Sequence, residues 1–356
     1  MTLFSTSQFV FFHVPLLLLS FSLSGCFNPA PEPKQEPAKP QQKQEVIIPD
    51  LNQICENLKN EMLEISPQRT TFALEQINQS IRVCLPLISH AEQKKLMSLS
   101  DQMYAQFLQI DRTPEQQKAF DQYALDESQF PTIQQSHFEK LNIRDQYLLR
   151  HKGQAYIELS DLDQNNIGYK RNTQYLARVF APYFPKDEQV FIQNLADQNE
   201  HTIFNENTLL ISPEDIAQRA LFWENYLKQY PQSSYQSDAQ YLYNAYQILL
   251  FVGTKDSKVS YDYDGKFDIQ AQSLASIEQL SKQKDSRLAD KAKLLLKFIE
   301  MSPEQKAKAL NRANPEQLHQ TSMAKQVLRY LNIKDLNLGK AQVRDCFSDA
   351  ICRQSK

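Results

Sequence analysis

Five cysteines carry the most legible chemistry in the chain: Cys26, Cys55, Cys84, Cys346 and Cys352. A thiol can be acylated, oxidised with a second thiol, or used to ligate a metal. Metal ligation needs clustered donors, and there is no Cys-x-x-Cys pair and no companion histidine. Cys26 stands alone at the end of Leu23-Ser24-Gly25-Cys26, a placement that suits modification. The other four form an even set, which reads as two disulfides in an exported chain. Cys55 and Cys84 flank the break at Ser66-Pro67 at comparable distances, so an antiparallel hairpin would bring them together. Cys346 and Cys352 are six apart, wrong for one helix face but within reach across a tight turn. The favoured pairs are therefore Cys55–Cys84 and Cys346–Cys352, with buried free thiols as the alternative.

Little else points to catalysis. The chain has no GxSxG, HExxH, P-loop or GxGxxG pattern. Its histidines are His13, His90, His137, His151, His201 and His319, none in ligand or triad spacing. His201 follows Asp197 and Glu200 and reads as a solvated helix end. Asp161-x-Asp163-x-Asn165 begins like a calcium loop, but Asn166 stands where Gly is needed and Asn172 where the bidentate Glu belongs. Asp262-Tyr263-Asp264-Gly265 is a shorter fragment of the same kind. No catalytic residue, metal or cofactor is assigned. The 39 basic and 42 acidic residues give a net charge of −3, which argues against a nucleic-acid partner.

These residues need elements to hold them, and the pattern is helical. Only 6 glycines occur, too few for a turn-rich sheet fold. Leu51, Ile54, Leu58, Met62 and Ile65 recur at spacings of three and four, as expected of one helix face. Phe72, Ile77, Ile81, Leu85 and Ile88 predict a second helix that Pro86 bends or ends. The periodicity continues through Leu96 to Ile110, Pro114 to Tyr123 and Phe138 to Leu159. Thr113-Pro114-Glu115, Ser212-Pro213-Glu214, Ser302-Pro303-Glu304 and Asn314-Pro315-Glu316 have the form of helix starts: N-cap, Pro at N1, acid in the first turn. The predicted class is all-α, an irregular array of helical hairpins with an N-terminal region at 50–200 and a C-terminal one at 201–356. Asn199 to Ser212 is expected to link them, and Gly253 to Phe267 to be a surface loop.

The stretch Ala220 to Val252 is the most informative. Phe222, Tyr226 and Tyr230 lie four apart, Pro231 ends the first helix, and Ser233, Ser234 or Ser237 is placed to cap the second. Ala239 is small where the helices would cross, and the rest of the second helix, including Tyr241, Tyr243 and Tyr246, is apolar enough to be core. The run Tyr230-Pro231-x-Ser233-Ser234-Tyr235-x-Ser237-Asp238-Ala239 resembles the tetratricopeptide-like hairpins of periplasmic and outer-membrane assembly lipoproteins. A weaker echo spans Ile277 to Phe298, with Asp285-Ser286-Arg287 at the turn and Ala292 in the place of Ala239. The resemblance implies a stack of hairpins that presents a surface to a protein partner. The two alanines are 53 positions apart, so the regular spacing of about 34 residues is absent.

Residues 9 to 23 read FVFFHVPLLLLSFSL, too short for a membrane span of ~20 residues but suited to the apolar core of an export signal. With Leu23-Ser24-Gly25-Cys26 after it, residues 1–25 resemble a bacterial lipoprotein signal peptide. The resemblance implies that Cys26 receives a diacylglyceryl group, that cleavage precedes it, and that its new amine is acylated. Acyl chains such as palmitate then anchor the chain, each buried methylene contributing roughly 0.8 kcal/mol. The segment departs from that pattern in having no Lys or Arg before the apolar run. Phe27 rather than Asp follows Cys26, which by the same resemblance directs the product to the outer membrane. Residues 26–49 hold six prolines and form an expected extended tether. The sequence therefore leads to a non-enzymatic, lipid-anchored envelope scaffold, periplasm-facing, that binds a protein partner. The alternatives are a periplasmic enzyme acting on peptidoglycan and a surface lipoprotein that binds an external ligand.

Overall fold

Helix starts are written locally, and most of them hold. Ser212 and Ser302 each close a capping box, with Asp215 and Gln305 as the reciprocal partners. Thr70, Ser89 and Ser286 cap further helices through their hydroxyls. A computed structural model of the chain describes residues 51–129, 135–160, 167–311, 322–338 and 344–354. Cys26, the segments on either side of it, Asp161 to Asn166, Asn314-Pro315-Glu316 and His319 lie outside these residues. The described residues belong to one unit, Pro49–Lys356.

The fold is all-α. In order come α1 (Leu51–Leu63), α2 (Thr71–Cys84), α3 (His90–Phe107), α4 (Pro114–Gln129), α5 (Gln135–Phe138) and α6 (Ile143–Arg150). A short antiparallel pair follows, β1 (Ile157–Leu159) and β2 (Tyr169–Arg171), in register Glu158 to Lys170. Next are α7 (Gln174–Val179), α8 (Lys186–Gln198) and the two-residue strands β3 (Phe204–Asn205) and β4 (Thr208–Leu209). Two hairpins come next, α9 (Pro213–Gln229) with α10 (Gln236–Phe251), and α11 (Ala271–Ser281) with α12 (Arg287–Ile299). The described chain closes with α13 (Pro303–Ala309), α14 (Met323–Tyr330), β5 (Arg344–Asp345) and β6 (Arg353–Gln354). Each strand pair is antiparallel and stands by itself. No helix among the described residues is long and apolar enough to cross a membrane.

One hydrophobic core runs from Cys55 in α1 to Ala350 beyond β5, so the N-terminal and C-terminal helical regions share it across residue 200. Trp223, Phe191 and Tyr226 form its aromatic centre, with ring centroids 5.1 and 5.8 Å apart. Ala239 and Ala292 are both fully buried, and α11 packs on α9, so the two hairpins lie against each other.

Four local expectations need correction. Phe72 is 64% exposed, because α2 buries Leu74, Ile77, Ile81 and Cys84, a face that leaves position 72 outside. The helix expected over Phe138 to Leu159 ends at Arg150, where Gly153 turns left-handed and β-branched Ile157 enters a strand. No serine caps α10: its N-cap is Tyr235, without a side-chain hydrogen bond. Gly253 to Phe267 is not a surface loop throughout. Tyr263 within it is fully buried, with its hydroxyl donating to the Phe251 carbonyl at 2.9 Å. Lys306, also buried, donates to the Tyr263 carbonyl at 2.9 Å and holds the loop down. Gly253 starts this loop at φ +79°, where an added Cβ would lie 2.0 Å from the Ser257 carbonyl oxygen.

Candidate functional site

The cysteines pair as Cys55–Cys84, with Cα atoms 5.7 Å apart, and Cys346–Cys352, 4.1 Å apart. The first joins α1 to α2. The second closes the loop between β5 and β6 and seats it on the core. Asn199 donates from Nδ2 to the carbonyls of both Cys346 and Asp349, at 2.9 and 2.7 Å. Asn199, expected to open a linker, is instead 3% exposed.

Asp349 in that loop reaches Arg171 of β2. The Arg171 guanidinium lies 2.7 Å from Asp101 and 3.1 Å from Asp349, and covers the rings of Tyr175 and Tyr104 at 4.6 and 5.4 Å. Burial acts to lower the Arg171 pKa, but the two carboxylates outweigh it and hold the pKa above its ordinary value. Arg353 adds a second cation to Asp101 and Asp349. The cluster borders a cavity of 540 Å³ that Lys170 and Ser348 also line.

Behind it lies a buried polar chain. Asn78 donates to the Tyr104 hydroxyl at 2.9 Å and accepts from the Tyr175 hydroxyl at 3.1 Å. Tyr104 in turn donates to the Ala155 carbonyl at 2.7 Å, and burial raises its pKa. Ala155 (φ 48°) and Tyr156 (φ 59°) are both left-handed, a conformation that costs non-glycine residues of order 1–3 kcal/mol each. The surroundings impose it. Glu75 accepts from the Ala155 amide at 3.2 Å, Arg82 donates to the Tyr156 hydroxyl at 2.9 Å, and the Asn172 amide donates to the Tyr156 carbonyl at 2.7 Å. This turn lines a cavity of 720 Å³ bordered by Glu75, Glu158, Arg82, Arg178 and Glu200. Glu75 binds the strained backbone, and Glu158 accepts from Asn172 at 2.6 Å. Two of the carboxylates thus already serve the fold. Sequence reading missed this turn; Gly153 inside an otherwise helical pattern was the signal.

The turn between α9 and α10 makes a second polar knot. Ser233 bonds the Tyr226 hydroxyl at 2.7 Å and accepts from the Tyr235 amide at 3.2 Å, so it braces the turn. Ser234 donates to Glu188 of α8 at 2.7 Å. Glu188 also meets Lys94 at 2.8 Å and His90 at 3.0 Å. Lys94 stands over the Tyr235 ring at 4.4 Å. The tetratricopeptide-like turn is thereby fastened to α3 and α8.

Of the remaining sequence candidates, Asp264 meets Lys306 at 3.2 Å, and Asp268 accepts from the amides of Asp262 and Asp264. That segment is closed by its own chain. His201 is exposed, while Tyr243 and Tyr246 are buried. Among the described residues no three His, Cys, Asp or Glu side chains come together as a metal site.

Fold and site define a class: an all-α protein of packed helical hairpins, stapled by two disulfides. Comparison with known proteins finds no matching family, no matching curated protein and no matching solved structure.

Proposed function

We propose that the chain is a bacterial envelope lipoprotein, anchored through acylated Cys26, whose helical unit acts as a non-enzymatic scaffold for a protein partner. The observation that carries this reading is Leu23-Ser24-Gly25-Cys26 between an apolar segment and a proline-rich tether. The two disulfides support it, because such bonds persist in oxidising compartments. The packed pair of hairpins α9–α10 and α11–α12 supports a tetratricopeptide-like binding surface. Leu210, Tyr261 and Phe267, at 50%, 67% and 106% exposure, offer apolar contact around it. The engagement of Glu75 and Glu158 with the fold is the reason an acid–base enzyme is not the reading adopted. The reading places the protein on the outer membrane, facing the periplasm.

Crosslinking in intact cells, followed by capture from detergent-solubilised membranes, tests the scaffold role. The expected result is one stoichiometric protein partner, lost when the folded unit is deleted and the anchor kept. Recovery of the chain alone, at several crosslinker lengths, contradicts it.

A further inference from the structure

The two disulfides differ in what surrounds them. Cys55 and Cys84 are both buried, at 5% and 0% exposure, within the hydrophobic core. Cys346 is also fully buried, but its partner Cys352 is only partly covered. Thiol–disulfide exchange needs a thiolate to reach one of the two sulfurs, so access selects the bond that reacts. Of the four bonded cysteines, Cys352 is the one a reductant in solution meets.

The loop that this bond closes is docked by side chains on distant segments. Phe347 sets its ring against Phe204 and Tyr246, with centroids 5.4 and 6.1 Å away. Asn199 holds the carbonyls of Cys346 and Asp349. Asp349 supplies one of the two carboxylates on buried Arg171. Sheet pairing adds little, because β5 and β6 are two residues each. A loop docked by scattered contacts keeps its place only while its conformational freedom is small, and the cross-link restricts that freedom. Ser348, Asp349 and Arg353 also wall the 540 Å³ cavity beside Arg171. Opening the loop removes that wall and leaves Arg171 with Asp101.

We propose that Cys346–Cys352 is a redox latch: a vicinal dithiol reduces it by attack at Cys352, the loop lifts from the core, and Arg171 is uncovered. One thiolate of the dithiol bonds to Cys352 Sγ. The S–S bond breaks toward Cys346, whose sulfur leaves as a thiolate and takes up a proton. The second thiolate of the dithiol then displaces Cys352 from the mixed disulfide, and Cys352 is protonated in turn. Two electrons pass to the protein, which ends with two thiols, and the reductant ends as a disulfide. The latch depends on neither the anchor at Cys26 nor a scaffold partner.

The test uses the complete chain without its signal, purified with both disulfides intact and held without denaturant. Dithiothreitol serves as the dithiol; samples are quenched in acid, alkylated and mapped by mass spectrometry. Thiols are expected at Cys346 and Cys352 at least tenfold faster than at Cys55 and Cys84. Reduced glutathione, which has one thiol, is expected to leave its adduct on Cys352. After reduction, hydrogen exchange in residues 344–354 is expected to rise at least tenfold and to fall again on reoxidation. Phenylglyoxal, which modifies accessible guanidiniums, is expected to label Arg171 at least tenfold faster. The double variant Cys346→Ser, Cys352→Ser is expected to match the reduced protein; the wild type is reduced in place, so the result does not depend on that variant folding. Equal rates for the two disulfides, an adduct on Cys346, reduction only in denaturant, or reduction that leaves loop exchange and Arg171 labelling unchanged overturns the proposal. So does faster exchange throughout the chain, which marks a staple of the whole fold and not a latch.

Discussion

The Arg171 guanidinium meets the Asp349 carboxylate at 3.1 Å, across 178 positions of sequence. Both side chains are nearly inaccessible to water, at 5% and 7%. This pair ties the disulfide-closed loop between β5 and β6 to the strand pair β1–β2. Asp349→Asn leaves the buried cation with Asp101 and Arg353 crowded around it, and is expected to cost about 3 kcal/mol. The double variant Arg171→Met, Asp349→Leu is expected to recover part of that loss. Urea unfolding of the three proteins measures it; a change within about 0.5 kcal/mol for Asp349→Asn would show that the pair does not hold the loop.

The disulfides differ in the loops they close, 29 and 6 positions long. Chain entropy assigns about 3.6 kcal/mol to Cys55–Cys84 and about 2.2 kcal/mol to Cys346–Cys352. Replacing each pair by alanine and comparing denaturant midpoints gives the order. A larger loss for the C-terminal pair would mean that seating Asp349 outweighs loop closure.

Glu188 gives the fold a defined acid response. Burial pushes its pKa up, but hydrogen bonds from Lys94, Ser234 and His90 pull harder, and the net shift is below its ordinary 4.5. A carboxylate with a depressed folded pKa contributes stability that is complete above the unfolded value. That contribution is lost as pH falls from 4.5 through the lower folded value. Glu188→Gln is expected to cost about 2 kcal/mol at pH 7 and to flatten the melting temperature below pH 4.5. An unaltered slope between pH 3 and 5 would assign the acid response to other groups.

Glu224 of α9 caps a helix it does not belong to. Its carboxylate accepts from Ser286 Oγ and from the Arg287 amide, both at 2.6 Å, at the start of α12. Glu224→Ala strands those donors at a site 3% exposed and is expected to cost about 2 kcal/mol. Hydrogen exchange locates the effect: faster exchange in the first turn of α12 is expected, and unchanged protection there contradicts the capping role.

The helices were legible because their signals are local. Ser212, Thr113 and Ser302 announce their starts within four residues, and Ala239 and Ala292 mark close crossings by size alone. The disulfide pairs followed from a hairpin and a turn. Gly153 marks a break before Ala155 and Tyr156, but the left-handed conformation there was not legible, because Glu75, Arg82 and Asn172, distant or across a strand pair, impose it. Ser233 and Ser234 misled for the same reason: a cap is local, but their partners Tyr226 and Glu188 come from packing.

Cys26 carries the central claim, and metabolic labelling with a palmitate analogue tests it most directly. Wild-type chain and Cys26→Ala are expressed side by side, and each is recovered and read for label. The expected result is label on the wild type, none on Cys26→Ala, and accumulation of the uncleaved variant. Wild-type chain without label, cleaved and released from the membrane, would contradict the account.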